Sequence, residues 1–335
     1  MKKPSYPEKI ILFAVLLIIA FSKSYSQILP DFSDPFAHTF SIVARDKVTG
    51  DIGVAVQSHW FNVGAAVPWA EAGVGAVATQ SLVNVSFGKR GLELLKQGKP
   101  PKEALDILLS DDPGREFRQV AIINAKGEVA AFTGKNCIAE AGHIEGDQFS
   151  VQANMMLNNK VWPAMEKAFR QTEGTLAERL VAALQAAQQQ GGDIRGQQSA
   201  AVLVVKGNAS DKPWEDKLAD LRVEDNDNAV NEIARVLKVQ QAYEHMNNGD
   251  LAVEKNNDTE ALKEYGLAQQ MLPDNLETKF WAAVSMVNMG KADQAMPLFK
   301  EIFQKDKNWR ELTKRLVPGG FLKTDEKTLN RIMNL

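Results

Sequence analysis

The chain has 335 residues, 44% hydrophobic and 24% charged, enough for about two domains of roughly 150 residues with a packed core. Its net charge of -3, from 39 basic and 42 acidic side chains, excludes the strongly basic balance of a nucleic-acid binder. The single cysteine, Cys137, rules out an intramolecular disulfide, a C-x-x-C redox pair and a multi-thiolate metal site, so chemistry rests on oxygen and nitrogen groups.

Residues 10–21 read IILFAVLLIIAF, an apolar run of 12 behind Lys2, Lys3 and Lys9 and ahead of Ser24 and Ser26 at cleavage-like spacing. The pattern predicts a secretory signal peptide over 1–26 and a secreted or periplasmic product. A membrane span needs about 20 apolar residues, so no stable span is expected. Removal would leave 35 basic and 41 acidic side chains, a net charge of -6. Residues 27–38 then form a propeptide or N-terminal arm.

Residues 40–57, FSIVARDKVTGDIGVAVQ, give two apolar strands about a turn at Thr49, Gly50 and Asp51, a hairpin signal. A second pair spans 65–70 and 74–81. The period turns helical over 88–97 and 101–109, where Leu92, Leu95, Ala104, Leu105 and Leu108 supply apolar faces. Residues 118–134 return to a hairpin and 149–157 add a strand. Residues 161–190 are helical in composition, with Trp162, Met165, Phe169, Leu176, Leu180 and Leu184 on an internal face, and AAVLVV at 200–205 reads as a buried strand. Segregated runs of strands and helices predict an α+β sandwich rather than a Rossmann alternation. Neither G-x-G-x-x-G nor G-x-x-x-x-G-K-[ST] occurs, and no cofactor is expected.

Turn formers and charges over 208–230 predict a linker, and 231–335 is almost entirely helix-like. Segments 242–275 and 276–309 align at a shift of 34, pairing Gly249, Ala261, Tyr265 and Ala268 with Ala283, Ala295, Phe299 and Ile302. Small and aromatic residues at these places match a tetratricopeptide-like helix pair. Residues 231–335 are therefore expected to bind a protein partner or self-associate, with a helical cap on the sandwich as the alternative.

Several stretches carry a family resemblance when taken together: TFSIVARDKVTGDIGVAVQS at 39–58, VGAAVPWAEAGVGAVATQSLVN at 63–84, DPGREFRQVAIINAKG at 112–127 and GGDIRGQQSAAVLVV at 191–205. Over residues 39–207 the chain resembles the DUF1028 family, which looks like part of the Ntn-hydrolase (N-terminal nucleophile hydrolase) superfamily. The resemblance implies a four-layer αββα sandwich and a nucleophile at Thr39 and leaves the substrate open; the expected function is an exported amidohydrolase acting on an amide or peptide-like small molecule. An N-terminal threonine supplies a hydroxyl together with an α-amine of pKa roughly 7.7–8.0 that can take its proton. Family members commonly place this threonine directly after the initiator methionine; here 27–38 precede it, and a second cut between His38 and Thr39 is required.

Helpers follow from the same text. Asp193 and Arg195 are candidates to pair with each other or to hold an acidic substrate group, and Ser199 to orient the amine; satisfying local backbone groups is the plain alternative. Arg45, beside Asp46, is a candidate to buttress the threonine or hold substrate, with an ordinary ion pair at the hairpin end as the alternative. Gln80, Ser81, Asn84 and Asn154 are candidates to bind a substrate carbonyl, or else ordinary core and loop polar groups. Trp60, Phe61, Trp69 and Phe87 would line a pocket or fill a core. His59 and His143 lie far apart in sequence, so no metal site is expected, and His245 reads as structural. Two further functions stay open: a noncatalytic envelope binding or scaffold protein, and a hydrolase with an unrelated arrangement in the same sandwich.

Overall fold

The computed structural model describes residues 36–335; the expected signal peptide and residues 27–35 of the arm lie outside them. The first strands are β1 (Phe36–Ala37), β2 (Thr39–Arg45), β3 (Ile52–Ser58), β4 (Pro68–Glu71) and β5 (Gly75–Leu82). Helices α1 (Ser86–Lys96) and α2 (Pro101–Ser110) follow, then β6 (Arg118–Asn124), β7 (Val129–Thr133), β8 (Gly142–Gly146) and β9 (Phe149–Ala153). Helices α3 (Val161–Gln171) and α4 (Leu176–Gln189) lead into β10 (Ser199–Val205) and β11 (Lys217–Val223).

The β2–β3 hairpin forms where the turn signal stands. The Asp46 carboxylate accepts from the backbone N–H of Val48 and Thr49, and Gly50 takes φ 81°, a conformation that favours glycine. The antiparallel register then runs from Arg45 opposite Ile52 to Thr39 opposite Ser58.

Two sheets result. One has the order β1-β5-β6-β7, with β4 also paired to β5; the other has the order β11-β10-β3-β2-β9-β8. Their side chains alternate as a pleated strand requires. Phe40, Ile42 and Ala44 of β2 face α3 and α4, while Val43 joins Val54, Val56, Ala76, Ala78, Ala121 and Ile123 between the sheets. On the far side Val77, Val120 and Ile122 pack against Phe87, Leu92, Leu105 and Leu108 of α1 and α2. The N-terminal region is thus a mixed α/β sandwich with helices outside each sheet. Helix α1 sits so close that a Cβ on Gly88 would lie 2.2 Å from the Trp69 ring.

An all-helical region follows: α5 (Ala229–Glu254), α6 (Asp258–Met271), α7 (Leu276–Asn288), α8 (Ala292–Lys305), α9 (Asn308–Leu316) and α10 (Glu326–Met333). The residues paired at the 34-residue shift are buried in both copies, Tyr265 and Phe299 included. Gly249 is needed for contact, since a Cβ there would stand 2.5 Å from Tyr265. None of the described helices is long and apolar enough to cross a membrane.

The stretch 208–230 differs from the expected linker. It holds β11, paired along β10, and the first turn of α5. Lys217, Asp220 and Arg222 hid the strand, because its outer face is polar while Ala219 and Val223 join the core. Strand β8 was equally unannounced.

Candidate functional site

Every functional candidate near Thr39 lies at one end of the space between the sheets, where the apolar filling gives way to polar side chains. Thr39 opens β2, Ser58 closes β3, Gln80 and Ser81 close β5, Arg118 and Gln119 open β6, Gln152 lies near the end of β9, and Ser199 opens β10. Alternation aims Ser41, Gln80, Gln119 and Gln152 inward from both sheets, where a polar group without a partner costs about 1–3 kcal/mol. They satisfy one another. Ser41 Oγ donates to Gln80 Oε1 at 2.7 Å, Gln152 Nε2 to Ser41 Oγ at 2.6 Å, and Gln80 Nε2 to Gln119 Oε1 at 2.7 Å.

Thr39 is fully buried at 0% exposure and His38 is 3% exposed. In this chain the Thr39 nitrogen belongs to the His38–Thr39 peptide bond. The Thr39 carbonyl accepts from the backbone N–H of Asn154 at 3.1 Å, from Asn154 Nδ2 at 3.4 Å and from Gln80 Nε2 at 3.3 Å. The carbonyl on the other side of the bond, that of His38, accepts from Ser58 Oγ at 2.6 Å and from Arg195 Nη2 at 3.1 Å. A neutral and a charged donor therefore meet one peptide oxygen, drawing electron density from its carbon.

Asp193 holds Arg195 in place by a two-point pair, Nε to Oδ1 at 3.0 Å and Nη2 to Oδ2 at 2.7 Å. The Asp193 side chain is fully buried and also accepts from the N–H of His59 and of Arg195 itself. The His38 ring places Nδ1 3.0 Å from Asn154 Oδ1. Asn154 Nδ2 donates to Gln119 Oε1 at 2.9 Å, which fixes the amide orientation and makes His38 Nδ1 the donor. Burial holds the His38 imidazole below its ordinary value, outweighing the bond to Asn154, and the Arg195 charge lowers it further. Burial thus favours the neutral ring.

The network also reaches the surface. Gln119 Nε2 donates to Thr133 Oγ1 at 2.8 Å, and that hydroxyl lies 2.8 Å from His143 Nδ1. Thr133, Cys137, Glu140 and His143 line an open cleft of about 650 Å³. Burial pushes the Cys137 thiol up, which disfavours a thiolate there.

Four expected residues take other places. Arg45 closes β2 at the opposite end from Thr39, about 20 Å along a seven-residue strand, and donates to Gln148 Oε1. The Ser199 hydroxyl donates to the Trp60 carbonyl at 2.5 Å and accepts from the Val63 N–H, so it ties down a loop while Ser58 stands between it and Thr39. Asn84 accepts from the Ser86 N–H and hydroxyl at the start of α1. Ser81 is buried with its backbone at φ 75°, a strained conformation that bends the end of β5. Of the aromatics, Phe87 is core, Trp60 and Trp69 pack against core clusters, and Phe61 is exposed. His245 bonds Glu264.

Sequence reasoning missed Ser58, Gln119, Gln152 and the participation of His38. The turn read at Thr49, Gly50 and Asp51 would set residue 61 opposite 39; the register instead centres between Val48 and Thr49 and sets Ser58 there. Among the described residues no cluster of three or more His, Cys, Asp or Glu is placed to hold a metal ion.

The site lies within a segment, residues 39–233, that matches the family described as "Family of unknown function (DUF1028)". Among solved structures, that of protein SPO2555 from Silicibacter pomeroyi, of the same family, is 32% identical; the match covers 60% of this chain and 85% of that one, with a TM-score of 0.55. No curated protein matches. With more than half of its length matched, the chain belongs to the DUF1028 family.

Proposed function

We propose that this chain is an exported Ntn-type amidohydrolase precursor that breaks its own His38–Thr39 bond and then uses Thr39 on an amide or peptide-like substrate. One observation carries the reading: the carbonyl of the bond to be cut is gripped by Ser58 Oγ and the Arg195 guanidinium. The layering of helices, sheet, sheet and helices supports it as a four-layer αββα sandwich of Ntn-hydrolase type. In the first step Thr39 Oγ attacks the His38 carbonyl carbon, the two donors hold the oxygen as it gains charge, and the C–N bond breaks. The hydroxyl proton passes to the departing nitrogen, leaving an ester on Oγ and a free α-amine. Water splits the ester, freeing residues up to His38 as a carboxylate.

Turnover repeats the geometry on a substrate. The α-amine takes the Oγ proton, Oγ attacks the substrate carbonyl, and the proton leaves with the amine product; water then regenerates Thr39. Asp193 positions Arg195, and Gln80 and Asn154 hold the backbone of Thr39 against the reacting carbon. Intact mass and terminal sequencing of the exported protein test this. A terminus at Thr39 in the native chain, lost in Thr39→Ala together with amide hydrolysis, is the expected result; full activity with residues 27–38 still attached would sink it.

A second role is carried by the burial match at the 34-residue shift: we propose that residues 231–335 pack as tetratricopeptide-like helix pairs and bind a protein partner or a second copy.

A further inference from the structure

We infer that the substrate is an extended peptide whose acyl-side residues lie as a strand along Ser81 and Leu82, with a hydrogen-bond-donating side chain where His38 now sits. This rests on the proposed role of Thr39 and adds to it the class of molecule the site accepts. The chain's own residues ahead of the bond already occupy that position. Along the outer edge of β5, β4 covers Gly75 to Ala78, and β1 then pairs Ala37 with Ser81 and Phe36 with Leu82. The other edge of β5 is closed by β6 from Gly75 to Ser81. Once the bond after His38 is cut, the segment ahead of it is no longer joined covalently to Thr39 and keeps these strand contacts together with the bonds from His38 to Ser58, Arg195 and Asn154. Its departure bares a stretch of strand edge beside the nucleophile, a template for another extended backbone.

That edge is shaped in advance. The left-handed backbone at Ser81 ends the regular strand, and Arg118, clamped by Asp112, donates to the Leu82 carbonyl at 2.6 Å. A rigid edge binds an extended chain without being ordered first. Side-chain selection falls to Asn154, whose Oδ1 faces the His38 ring while its Nδ2 is engaged by Gln119. An aliphatic side chain there would leave the Asn154 oxygen buried without its donor. A small amide would reach Thr39 but leave Ser81 and Leu82 unpaired, so it forgoes most of what the site offers.

The test uses a chain beginning at Thr39, the form the proposed cleavage would leave, made with an initiator Met that is removed; among the described residues the hydrophobic clusters begin at Phe40. The probe is a fluorescein-labelled peptide of residues 33–38, Ser-Asp-Pro-Phe-Ala-His carboxamide, followed by anisotropy. It is expected to bind, and to bind at least about tenfold more weakly when its His is replaced by Leu or when its Phe and Ala nitrogens are methylated. The uncleaved full-length Thr39→Ala chain, whose own segment fills the edge, is expected to bind it about tenfold more weakly as well. Equal binding of all three peptides, or no binding up to about 1 mM, overturns the inference even where Thr39 proves to be the nucleophile. Binding by an inactive Thr39 chain would sustain it while the catalytic reading fell.

Discussion

His38 shows at the scale of one residue how the buried network sets a pH response. Its imidazole is held below the ordinary value of 6.5 chiefly by burial, and His143 is lowered for the same reason. The unfolded chain takes up protons near 6.5, whereas the folded chain does so only at lower pH. In that window the unfolded state binds more protons, so stability rises with pH and levels off above about 6.5. In the uncleaved Thr39→Ala chain, melting temperatures from about pH 5 to 7.5 should climb and then flatten, and adding His38→Gln should remove part of the climb. An unchanged profile would place the response elsewhere. The family resemblance pointed to Thr39 and residue types to Gln80, Asn154, Asp193 and Arg195, all of which meet in one network. Gln119 and Gln152 were not readable, because they matter only once two sheets are stacked, and one strand's register says nothing of what lies across the gap. Arg45 went astray for a simpler reason: strand length puts it at the far end.

At the scale of elements, the corner where β5 ends and β6 begins depends on one buried ion pair. Arg118 Nε donates to Asp112 Oδ2 at 2.7 Å, with both side chains almost fully covered. Burial pushes the Asp112 carboxyl up, but the bonds from Arg118 and the Gly114 N–H more than offset this and hold it below the usual range. Arg118→Ala would strand that carboxylate and free the Leu82 carbonyl, a loss of about 3–5 kcal/mol readable in urea unfolding. A loss within about 0.5 kcal/mol would mean that the corner is held by its backbone alone. Strands with both faces covered, such as β2, β3 and β10, were legible as apolar runs. Edge strands β8 and β11 were not, since one is short with glycine at both ends and the other carries charge on its open face.

For the whole molecule, α5 joins the two regions without a break. Ala229, Val230, Ile233 and Leu237 belong to the sandwich core, while Met246 and Ala252 belong to the cluster with α6, over 26 residues and about 39 Å of helix. His38 and Thr39, the two residues that the bond joins, are almost fully buried, which disfavours attack by another protein on the folded chain. Self-cleavage as proposed above should therefore be first order. The rate constant, followed by intact mass, is expected to stay the same over about a hundredfold range of protein concentration and to ignore added protease inhibitors. A rate that grows with concentration would assign the cut to a second molecule.

The strand order β10-β3-β2-β9 also fixes a schedule. Hairpin β2–β3 is made early, but Asn154 and Arg195, which grip the two carbonyls flanking the Thr39 nitrogen, are more than a hundred residues further on. A ribosome delivering about 5–20 residues per second needs roughly 8–30 s to pass from Thr39 to Arg195. A cut at Thr39 of the kind proposed above would therefore come only after the chain has been made as far as Arg195, the far end of the grip on the His38 carbonyl.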